Sequence, residues 1–444
     1  MKKYIIRGGK TLSGKVRISG AKNSALKLMA ASILANSKVT LQNVPDIEDV
    51  NTMAEVLKTL NAKVVFEPQK NRLEIDPSSI NSFEAPYELV RKMRASVLVA
   101  GPLLSKFGRV KIAIPGGCNI GARQIDLHLK GFENLGAENY VEHGYINCAV
   151  RGDKMASKAI LNSAGAINSG GKLKGNIIDL DFPSRGATEN LMMAACMAEG
   201  KTVINNAARE TETVDLANFL ISMGAQIEGA GTDCIEINGV KTLKGTEYRI
   251  MPDSIEAGTF IIAASLCGSE VVIEDAIWQN IEIFCLKLKE VGIDIESRGA
   301  STIVVRRIAN TLNPVYISTL PYPGFPTDLQ PIIAVLLSVV PGISIITENV
   351  FENRFMYVDE LNRMGANIKI DGHHAVIKGV KNLSGAPVKA FDLRAGAAMV
   401  LAGLAADGTT EVNDIHHILR GYENFESKLA GLGADIRILD ANGL

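Results

Sequence analysis

One junction recurs six times along this chain and constrains its architecture more than any other feature. At each place a helix-like segment ends in a turn of small residues and a strand-like segment follows. The turns lie 68 to 88 residues apart, at Asn61-Ala62, Gly136-Ala137, Gly224-Ala225, Gly292-Ile293, Gly365-Ala366 and Gly433-Ala434. Glycine, and less often asparagine, suits the left-handed backbone conformation that ends a helix. The spacing therefore predicts six repeated units of about 70 residues.

A second element recurs between these junctions. It is an alanine-rich helix, then a turn, then a strand that ends near an Asn or Asp. Examples are 28–44, 191–205, 261–275 and 399–414. Because these helices are apolar nearly all round, we expect them to be buried. Each unit then reads as a βαβαββ-like α/β repeat with two helices.

The six units could form a solenoid or two globular sets of three. We favour two sets, because residues 250–258 lie between the third and fourth units and the strand predicted at 4–16 could pair with the second set. We therefore expect one lobe at 22–250 and a second lobe at 1–21 plus 251–444. A short, rigid crossing suits a cleft that closes on a ligand.

Composition excludes several classes of partner. The net charge is −1 and aromatic residues make up only 5% of the chain, so neither nucleic acid nor a membrane surface is an expected partner. The longest apolar run, 331–346, is interrupted by Pro341-Gly342 and is too short to span a bilayer. The six cysteines are scattered and form no C-x-x-C pair, which favours a reduced, cytoplasmic location.

The segment 114–123, Ile-Pro-Gly-Gly-Cys-Asn-Ile-Gly-Ala-Arg, carries the strongest chemical signal. A free thiol has a pKa of about 8.5, so Cys118 can donate a proton or attack once it is deprotonated. Arg123 can pair with two oxygens of a phosphate or carboxylate. A buried, inert cysteine is the commoner case, but three glycines and a proline argue against a packed core position.

Charged and small residues precede several of the predicted buried helices. Lys22 lies in Gly-Ala-Lys-Asn-Ser, and Ser184 lies in a segment that precedes another such helix. Helix N-termini of this kind bind anions. The alternatives are a solvated lysine and an ordinary N-cap. Residues 123–128 are expected to start the helix that follows the thiol segment, where Asp126 is either a site residue or a carboxylate that favours the helix dipole.

Further charges stand near predicted element ends. Asp328 follows a stiff segment with three prolines and is either an N-cap or a rigidly held carboxylate base. Arg94 precedes an apolar run, where it would need an ion-pair partner or a ligand. Arg394 lies near a predicted strand end and Arg420 at a predicted helix start.

Two look-alike motifs are discounted. Residues 9–15 fit G-x-x-x-x-G-K, but Val16 replaces the required Ser or Thr and a strand follows, so a nucleotide-binding P-loop is rejected. The pairs His373-His374 and His416-His417 lack companions at metal-ligand spacing, so no metal site is predicted.

Taken together, these segments resemble the enolpyruvyl transferase family over nearly the whole chain. The motifs that carry the resemblance are 20–24, 115–123, 323–328, 348–355 and 420–423. The resemblance implies an α/β fold, a two-lobed inside-out α/β barrel with three similar units in each lobe. It also implies that the first strand belongs to the second lobe.

The resemblance implies a reaction as well. An enolpyruvyl group would pass from phosphoenolpyruvate to the 3-hydroxyl of UDP-N-acetylglucosamine, with release of phosphate, as the first committed step of peptidoglycan precursor synthesis. Cys118 would supply a proton or assist product release, and Asp328 would take the proton of the sugar hydroxyl. The phosphoenolpyruvate ligands would be Lys22, Asn23, Arg123, Arg394 and Arg420.

The same resemblance implies a site for the UDP-sugar and needs no metal or organic cofactor. The residues that would line this site are Arg94, Arg123, Gln124, Ile125, Asp126, Leu127, Ser184, Gly186, Asp328 and Val350. Residues 114–121 would close over it and exclude water.

The chain departs from the family pattern at Gln124-Ile125, Arg185, Ser254 and Gly396. The enzyme alternative is a 5-enolpyruvylshikimate-3-phosphate synthase, for which a Pro-Gly-Ser-Lys-Ser start and no Gly-Gly-Cys segment would be expected. A catalytically silent UDP-sugar sensor is the alternative from another class. The presence of a candidate acid, a candidate base and several cations argues against the silent sensor, because a protein that only binds needs neither an acid nor a base.

Overall fold

The computed structural model describes residues 2–91, 93–114, 125–150, 171–306 and 312–440. These residues form two compact units. One unit takes the described residues between 20 and 251 and is here called the continuous unit, and the discontinuous unit combines 2–19 with the described residues of 252–440. Each unit has its own hydrophobic core.

The regular elements alternate along both units. The strands are β1 (Lys2–Arg7), β2 (Leu12–Arg17), β3 (Val39–Gln42), β4 (Lys63–Glu67), β5 (Arg72–Asp76), β6 (Glu84–Ala85), β7 (Arg109–Ala113), β8 (Ala137–Glu142), β9 (Tyr145–Val150), β10 (Ile177–Asp179), β11 (Lys201–Asn205), β12 (Gln226–Glu228), β13 (Cys234–Asn238), β14 (Glu247–Arg249), β15 (Gly268–Glu274), β16 (Asp294–Ser297), β17 (Thr302–Arg306), β18 (Tyr316–Ser318), β19 (Ile343–Thr347), β20 (Asn367–Asp371), β21 (His374–Lys378), β22 (Pro387–Lys389), β23 (Thr409–Asn413) and β24 (Asp435–Asp440). The α-helices are α1 (Lys22–Ala31), α2 (Glu48–Thr59), α3 (Tyr87–Val90), α4 (Ala100–Phe107), α5 (Asp126–Asn134), α6 (Arg185–Ala195), α7 (Thr211–Ser222), α8 (Ser254–Cys267), α9 (Glu282–Val291), α10 (Gln330–Leu337), α11 (Val358–Arg363), α12 (Leu393–Ala405), α13 (His416–Leu419) and α14 (Phe425–Gly431).

One sheet pattern recurs six times in the described residues. Each sheet has four strands, of which the first two are parallel and the rest antiparallel. The continuous unit holds the sheets β14-β3-β5-β4, β6-β7-β9-β8 and β10-β11-β13-β12, and the discontinuous unit holds β2-β15-β17-β16, β18-β19-β21-β20 and β22-β23-β1-β24. The predicted α/β architecture, with six repeated units in two sets of three, is confirmed.

The six predicted junction turns all adopt the left-handed conformation. Asn61 has φ 71°, and the five junction glycines have φ between 89° and 106°. Each lies just after a helix and before a strand, as with α2, Asn61 and β4. Because β-carbon sterics disfavour this conformation in most residues, glycine or asparagine at these positions ends each helix.

The alanine-rich helices form the interior, as expected for an inside-out barrel. In the discontinuous unit, α8, α10 and α12 come from three different repeats and pack against one another. Nearly every residue in these helices is buried. The small residues allow close approach, since a β-carbon at Gly258 of α8 would lie 2.6 Å from the Leu329 side chain.

The N-terminal segment forms two strands, where the sequence predicted a single strand over 4–16. Gly9 separates them with φ 78°. β1 lies between β23 and β24 and pairs antiparallel with both, whereas β2 pairs in parallel with β15 of another sheet. The first seventeen residues therefore complete two repeats whose other strands lie more than 250 residues later.

Candidate active site

In the discontinuous unit, Asp328 lies between two buried guanidinium groups. Arg354 Nη2 donates to Asp328 Oδ1 at 2.9 Å, and Arg394 Nη2 lies 3.5 Å from Asp328 Oδ2. The Asp328 side chain is 24% exposed, whereas those of Arg354 and Arg394 are only 2% and 4% exposed. The carboxylate is therefore held between two cations and keeps part of its surface open to solvent.

The segment that carries Asp328 is positioned by its neighbours in sequence. Asp328 is the middle residue of a 3₁₀ turn, Thr327–Leu329, that leads directly into α10. The sequence left Asp328 as either an N-cap or a rigidly held carboxylate. The N-cap position of α10 is occupied by Leu329, so the N-cap alternative is wrong. Its carboxylate is engaged by side chains that follow β19 and begin α12.

Arg394 lies in the first turn of α12. The helix is capped by Asp392, whose carboxylate accepts hydrogen bonds from the backbone nitrogens of Arg394 and Ala395 at 2.8 and 2.9 Å. The guanidinium carbon lies 5.3 Å from the centre of the Tyr422 ring. Burial disfavours its charge, but Tyr422 and Asp328 nevertheless hold the pKa of Arg394 above its ordinary value.

The other two candidates in this unit lie at element ends. Arg420 directly follows α13, so the prediction of a helix start there was wrong. A cation at this position interacts favourably with the negative end of a helix dipole. Val350 is half-buried in the segment after β19, and its backbone nitrogen donates to the buried carboxylate of Glu348 at 2.8 Å.

In the continuous unit, Lys22 is the first residue of α1 and is largely buried. Its ammonium nitrogen lies 2.8 Å from Asp49 Oδ2, and the two side chains are 12% and 3% exposed. Asp49 belongs to the first turn of α2. Asn23 follows in α1 and is partly exposed. The alternative that Lys22 is an ordinary solvated lysine is therefore wrong.

Arg94 begins a 3₁₀ helix, Arg94–Val99, and lies near the buried imidazole of His128 in α5. Burial, and then the charge of Arg94, lower the pKa of His128 to about 4. Asn190 of α6 lies 3.0 Å from His128 Nδ1, and its side chain also bonds Val97 O and Gly101 N. These contacts join α4, α5 and α6 to the 3₁₀ helix that Arg94 begins.

Ser184 caps α6, since its hydroxyl accepts a hydrogen bond from Ala187 N at 3.4 Å. Arg185, which departs from the family pattern, lies 3.6 Å from the carboxylate of the buried Glu212. A β-carbon at Gly186 would lie 3.4 Å from the His128 ring, so the start of α6 adjoins the imidazole. Ser184, Gly186 and the Arg94 region thus share one part of the continuous unit.

The remaining candidates surround the N-terminus of α5. Asp126 begins that helix, within the segment 123–128 where a helix start was expected, and is exposed, whereas Ile125 and Leu127 beside it are partly buried. Cys118, Arg123 and Gln124 lie outside the described residues. The five other cysteines are described as free thiols, Cys148, Cys196, Cys234, Cys267 and Cys285.

Four residues missing from the predicted site contact the predicted ones. Arg354 pairs with Asp328, Asp49 with Lys22, and Tyr422 with Arg394, while Glu348 bonds Val350. Arg354 and Glu348 lie within the motif 348–355 and Tyr422 within 420–423, so a signal existed for three of them. Asp49 gives no such signal, because an acidic residue in the first turn of a helix is ordinary.

The fold and sequence both match known proteins. The family model described as EPSP synthase (3-phosphoshikimate 1-carboxyvinyltransferase) matches residues 6–429. The enolpyruvyl transferase NikO from Streptomyces tendae covers 98% of both chains at a TM-score of 0.85 and 25% identity. EPSP synthase from Acinetobacter baumannii shares the fold at a TM-score of 0.73 and 18% identity, over 99% of this chain and 100% of the other. The fold is that of the enolpyruvyl transferases.

Sequence relatives are more similar still. UDP-N-acetylglucosamine 1-carboxyvinyltransferase 2 of Carboxydothermus hydrogenoformans is 54% identical over 98% of this chain and 99% of its own. UDP-N-acetylglucosamine 1-carboxyvinyltransferase of Halothermothrix orenii is 50% identical over the same shares. The chain belongs to the EPSP synthase family of enolpyruvyl transferases.

Two features are absent from the residues that the structure describes. None of their helices is long and apolar enough to cross a membrane. Within the same residues, no cluster of three or more His, Cys, Asp or Glu side chains could hold a metal ion.

Proposed function

We propose that the chain transfers the enolpyruvyl group of phosphoenolpyruvate to the 3-hydroxyl of UDP-N-acetylglucosamine and releases phosphate. The observation that carries this proposal is the identity of 50% or more, over nearly the full length, to relatives that bear the corresponding name. The first committed step of peptidoglycan precursor synthesis and a cytoplasmic location follow as parts of the proposal. The free thiols of the described cysteines fit a reducing compartment.

Phosphoenolpyruvate carries a phosphate and a carboxylate, and its binding needs several cations. We assign this role to Lys22, Arg123, Arg394 and Arg420, with Asn23 as a polar partner. Lys22 and Arg394 are supported by their settings, because each is a nearly buried cation held in place by a carboxylate. Preorganised cations of this kind bind an anion without the cost of ordering flexible side chains.

The UDP-sugar would be held by residues from two stretches of the sequence, 94–186 and 328–350. They are Arg94, Arg123, Gln124, Ile125, Asp126, Leu127, Ser184, Gly186, Asp328 and Val350. The capped start of α6 at Ser184 and Gly186 supports a role in binding the diphosphate, since helix N-termini favour anions. Residues 114–121 would close over the bound substrates.

The chemistry is an addition followed by an elimination. A proton adds to C3 of phosphoenolpyruvate while the sugar oxygen attacks C2, and Asp328 takes the proton of the sugar hydroxyl. The tetrahedral intermediate then loses phosphate and a C3 proton, which restores the double bond. Cys118 supplies the proton to C3 or assists product release. The two guanidinium groups hold the Asp328 carboxylate in one orientation, and this fixed position supports its role as the base.

We also assign the two lobes to the two units. The lobe expected at 22–250 would be the continuous unit, and the lobe expected at 1–21 plus 251–444 would be the discontinuous unit; the described bounds of the two units support this assignment. The first would carry Lys22 and the Cys118 segment, and the second Asp328, Arg394 and Arg420.

The test measures phosphate released from phosphoenolpyruvate by the purified chain. We expect release that depends on UDP-N-acetylglucosamine and is not supported by shikimate 3-phosphate. Release with shikimate 3-phosphate would favour the 5-enolpyruvylshikimate-3-phosphate synthase alternative. Binding of the UDP-sugar without any phosphate release would favour the silent sensor.

A further inference from the structure

Glu348 is a buried carboxylate with no binding or catalytic role in the proposed function. Its exposed fraction is 1%, and it follows β19 in the discontinuous unit. A carboxylate is costly to remove from water unless hydrogen bonds replace the lost solvent. The contacts of Glu348 therefore indicate what keeps it there.

Four hydrogen bonds converge on this carboxylate. Oε1 accepts from Thr319 Oγ1 at 2.8 Å, from Val350 N at 2.8 Å and from Phe351 N at 3.1 Å. Oε2 accepts from Thr327 Oγ1 at 2.9 Å. Within the described residues, no lysine, arginine or histidine lies within ion-pair distance of Glu348, so hydrogen bonds alone satisfy it.

These partners come from three separate segments. Thr319 follows β18, Val350 and Phe351 belong to the segment after β19, and Thr327 is the residue immediately before Asp328. Thr319 closes the arrangement, because its hydroxyl also accepts from Asn349 N at 2.9 Å. One side chain thus joins the 3₁₀ turn that presents Asp328 to the segment that presents Val350.

We propose that Glu348 is a positioning residue that holds Asp328 and Val350 in register for the transfer reaction. This inference rests on the proposed function. Glu348 acts through Thr327 on the orientation of the Asp328 carboxylate, and through Val350 N on the backbone that would line the UDP-sugar. A displacement of about 1 Å at a reacting group can cost roughly 100-fold in rate, so fixing both segments has a large kinetic effect.

Substitutions at Glu348 separate a positioning role from a role of its charge. Glutamine keeps an oxygen for Thr319, Val350 and Phe351 and can donate its amide to Thr327, so Glu348→Gln retains most of the turnover. Alanine removes all four acceptor contacts, so we expect Glu348→Ala to lower kcat roughly 100-fold and to raise KM for the UDP-sugar, with little change in KM for phosphoenolpyruvate. Thr327→Val should lower kcat and Thr327→Ser restore it.

A matched control comes from Glu360, another buried carboxylate of the same unit, which accepts from Lys389 N at 3.1 Å and lies 3.4 Å from Arg363 Nε. Glu360→Ala removes a buried acceptor without contact to the Asp328 segment. At comparable loss of thermal stability, we expect its kcat and KM values to stay near those of the wild type.

The deciding measurement is a double-mutant cycle with Asp328→Ala. If Glu348 acts through Asp328, removing it in the Asp328→Ala background costs little further kcat. Losses that multiply, or a Glu348→Ala kcat no lower than that of Glu360→Ala, overturn the positioning role while the wild type still turns over. A wild type that releases no phosphate overturns the proposed function and this role together.

Discussion

At the scale of single residues, the carboxylate of Asp328 contacts the buried guanidinium groups of both Arg354 and Arg394. Its removal leaves Arg354 and Arg394 without this partner, which costs about 1–3 kcal/mol of stability for an unpaired buried group. The same change removes the proposed base. Structural and kinetic effects are therefore superimposed and must be measured separately.

We predict that Asp328→Ala lowers kcat by roughly 10²- to 10⁴-fold, as expected for loss of a general base, with a much smaller loss of UDP-sugar affinity. Steady-state kinetics and calorimetric titration on the folded variant provide the two values. Asp359→Ala, at an exposed position in α11, is the control. Affinity that falls as far as kcat would reassign Asp328 to binding.

The thiol of Cys118 is the second residue with an assigned chemical role. We predict that Cys118→Ser lowers turnover by roughly 10²- to 10⁴-fold, because a hydroxyl is a much weaker acid than a thiol. Fosfomycin, an epoxide that by the family resemblance alkylates this thiol, should inactivate the wild type only. Cys234→Ser, at a partly exposed free thiol of β13, should behave like the wild type. Unchanged turnover in Cys118→Ser would remove this residue from the mechanism.

At the scale of elements, the imidazole of His128 links three helices through Asn190. Its pKa is lowered to about 4 by burial and by Arg94. The unfolded chain takes up a proton at higher pH than the folded chain does, so stability is complete above the ordinary histidine pKa of about 6.5 and falls as the pH drops toward 4.

We therefore predict that between pH 7 and pH 5 the wild type loses about 2 kcal/mol of unfolding free energy through this group. Urea unfolding at the two pH values measures the loss. His128→Gln should remove it, and His143→Gln, at an exposed turn, should leave it unchanged. A wild-type pH dependence equal to that of His128→Gln would show that His128 titrates normally.

Helix α12 contains a glycine where its neighbours leave no room. A β-carbon at Gly396 would lie 2.6 Å from Ile418 Cγ1 and 2.8 Å from Ala390 Cβ. This departure from the family pattern is therefore explained by close packing. We predict that Gly396→Ala lowers stability by about 1–3 kcal/mol, because overpacking outweighs the gain in helix propensity.

Gly431 provides the opposite case within a helix. It ends α14, and a β-carbon there would meet nothing within 4 Å. Gly431→Ala should leave stability unchanged or raise it by up to about 1 kcal/mol. Thermal unfolding of the two variants side by side tests the packing argument, and a stabilised Gly396→Ala variant would refute it.

At the scale of the whole molecule, the two units use the chain differently. All strands of the continuous unit's three sheets come from residues 20–251, whereas the discontinuous unit needs β1 and β2 from the N-terminus. β1 lies in the middle of its sheet, so its loss would leave β23 and β24 without their shared partner.

We predict that a fragment of residues 20–251 folds cooperatively on its own, since its core and hydrogen-bonded strands are complete. A fragment of residues 252–444 should not, until a peptide of residues 1–19 is added. Circular dichroism during thermal unfolding distinguishes the cases. Cooperative unfolding of 252–444 alone would contradict the argument.

Short sequence patterns were sufficient to predict the six repeats. Asn61 and the junction glycines are recognisable because the left-handed conformation restricts which residues end a helix, and the alanine-rich helices because a buried helix must be apolar all round. The break between β1 and β2 was missed because alternation within a short segment does not report which sheet a strand joins.

The sequence by itself determined the six α/β repeats, the buried helices and the residue types available for anion chemistry, because each depends on neighbours within a few positions. Only the tertiary structure decided which of these charges meet. Asp328 pairs with Arg354 and Arg394, and Lys22 with Asp49, through packing of elements that lie 26 to 66 residues apart. Such pairings depend on the three-dimensional path of the chain, which periodicity and spacing do not encode.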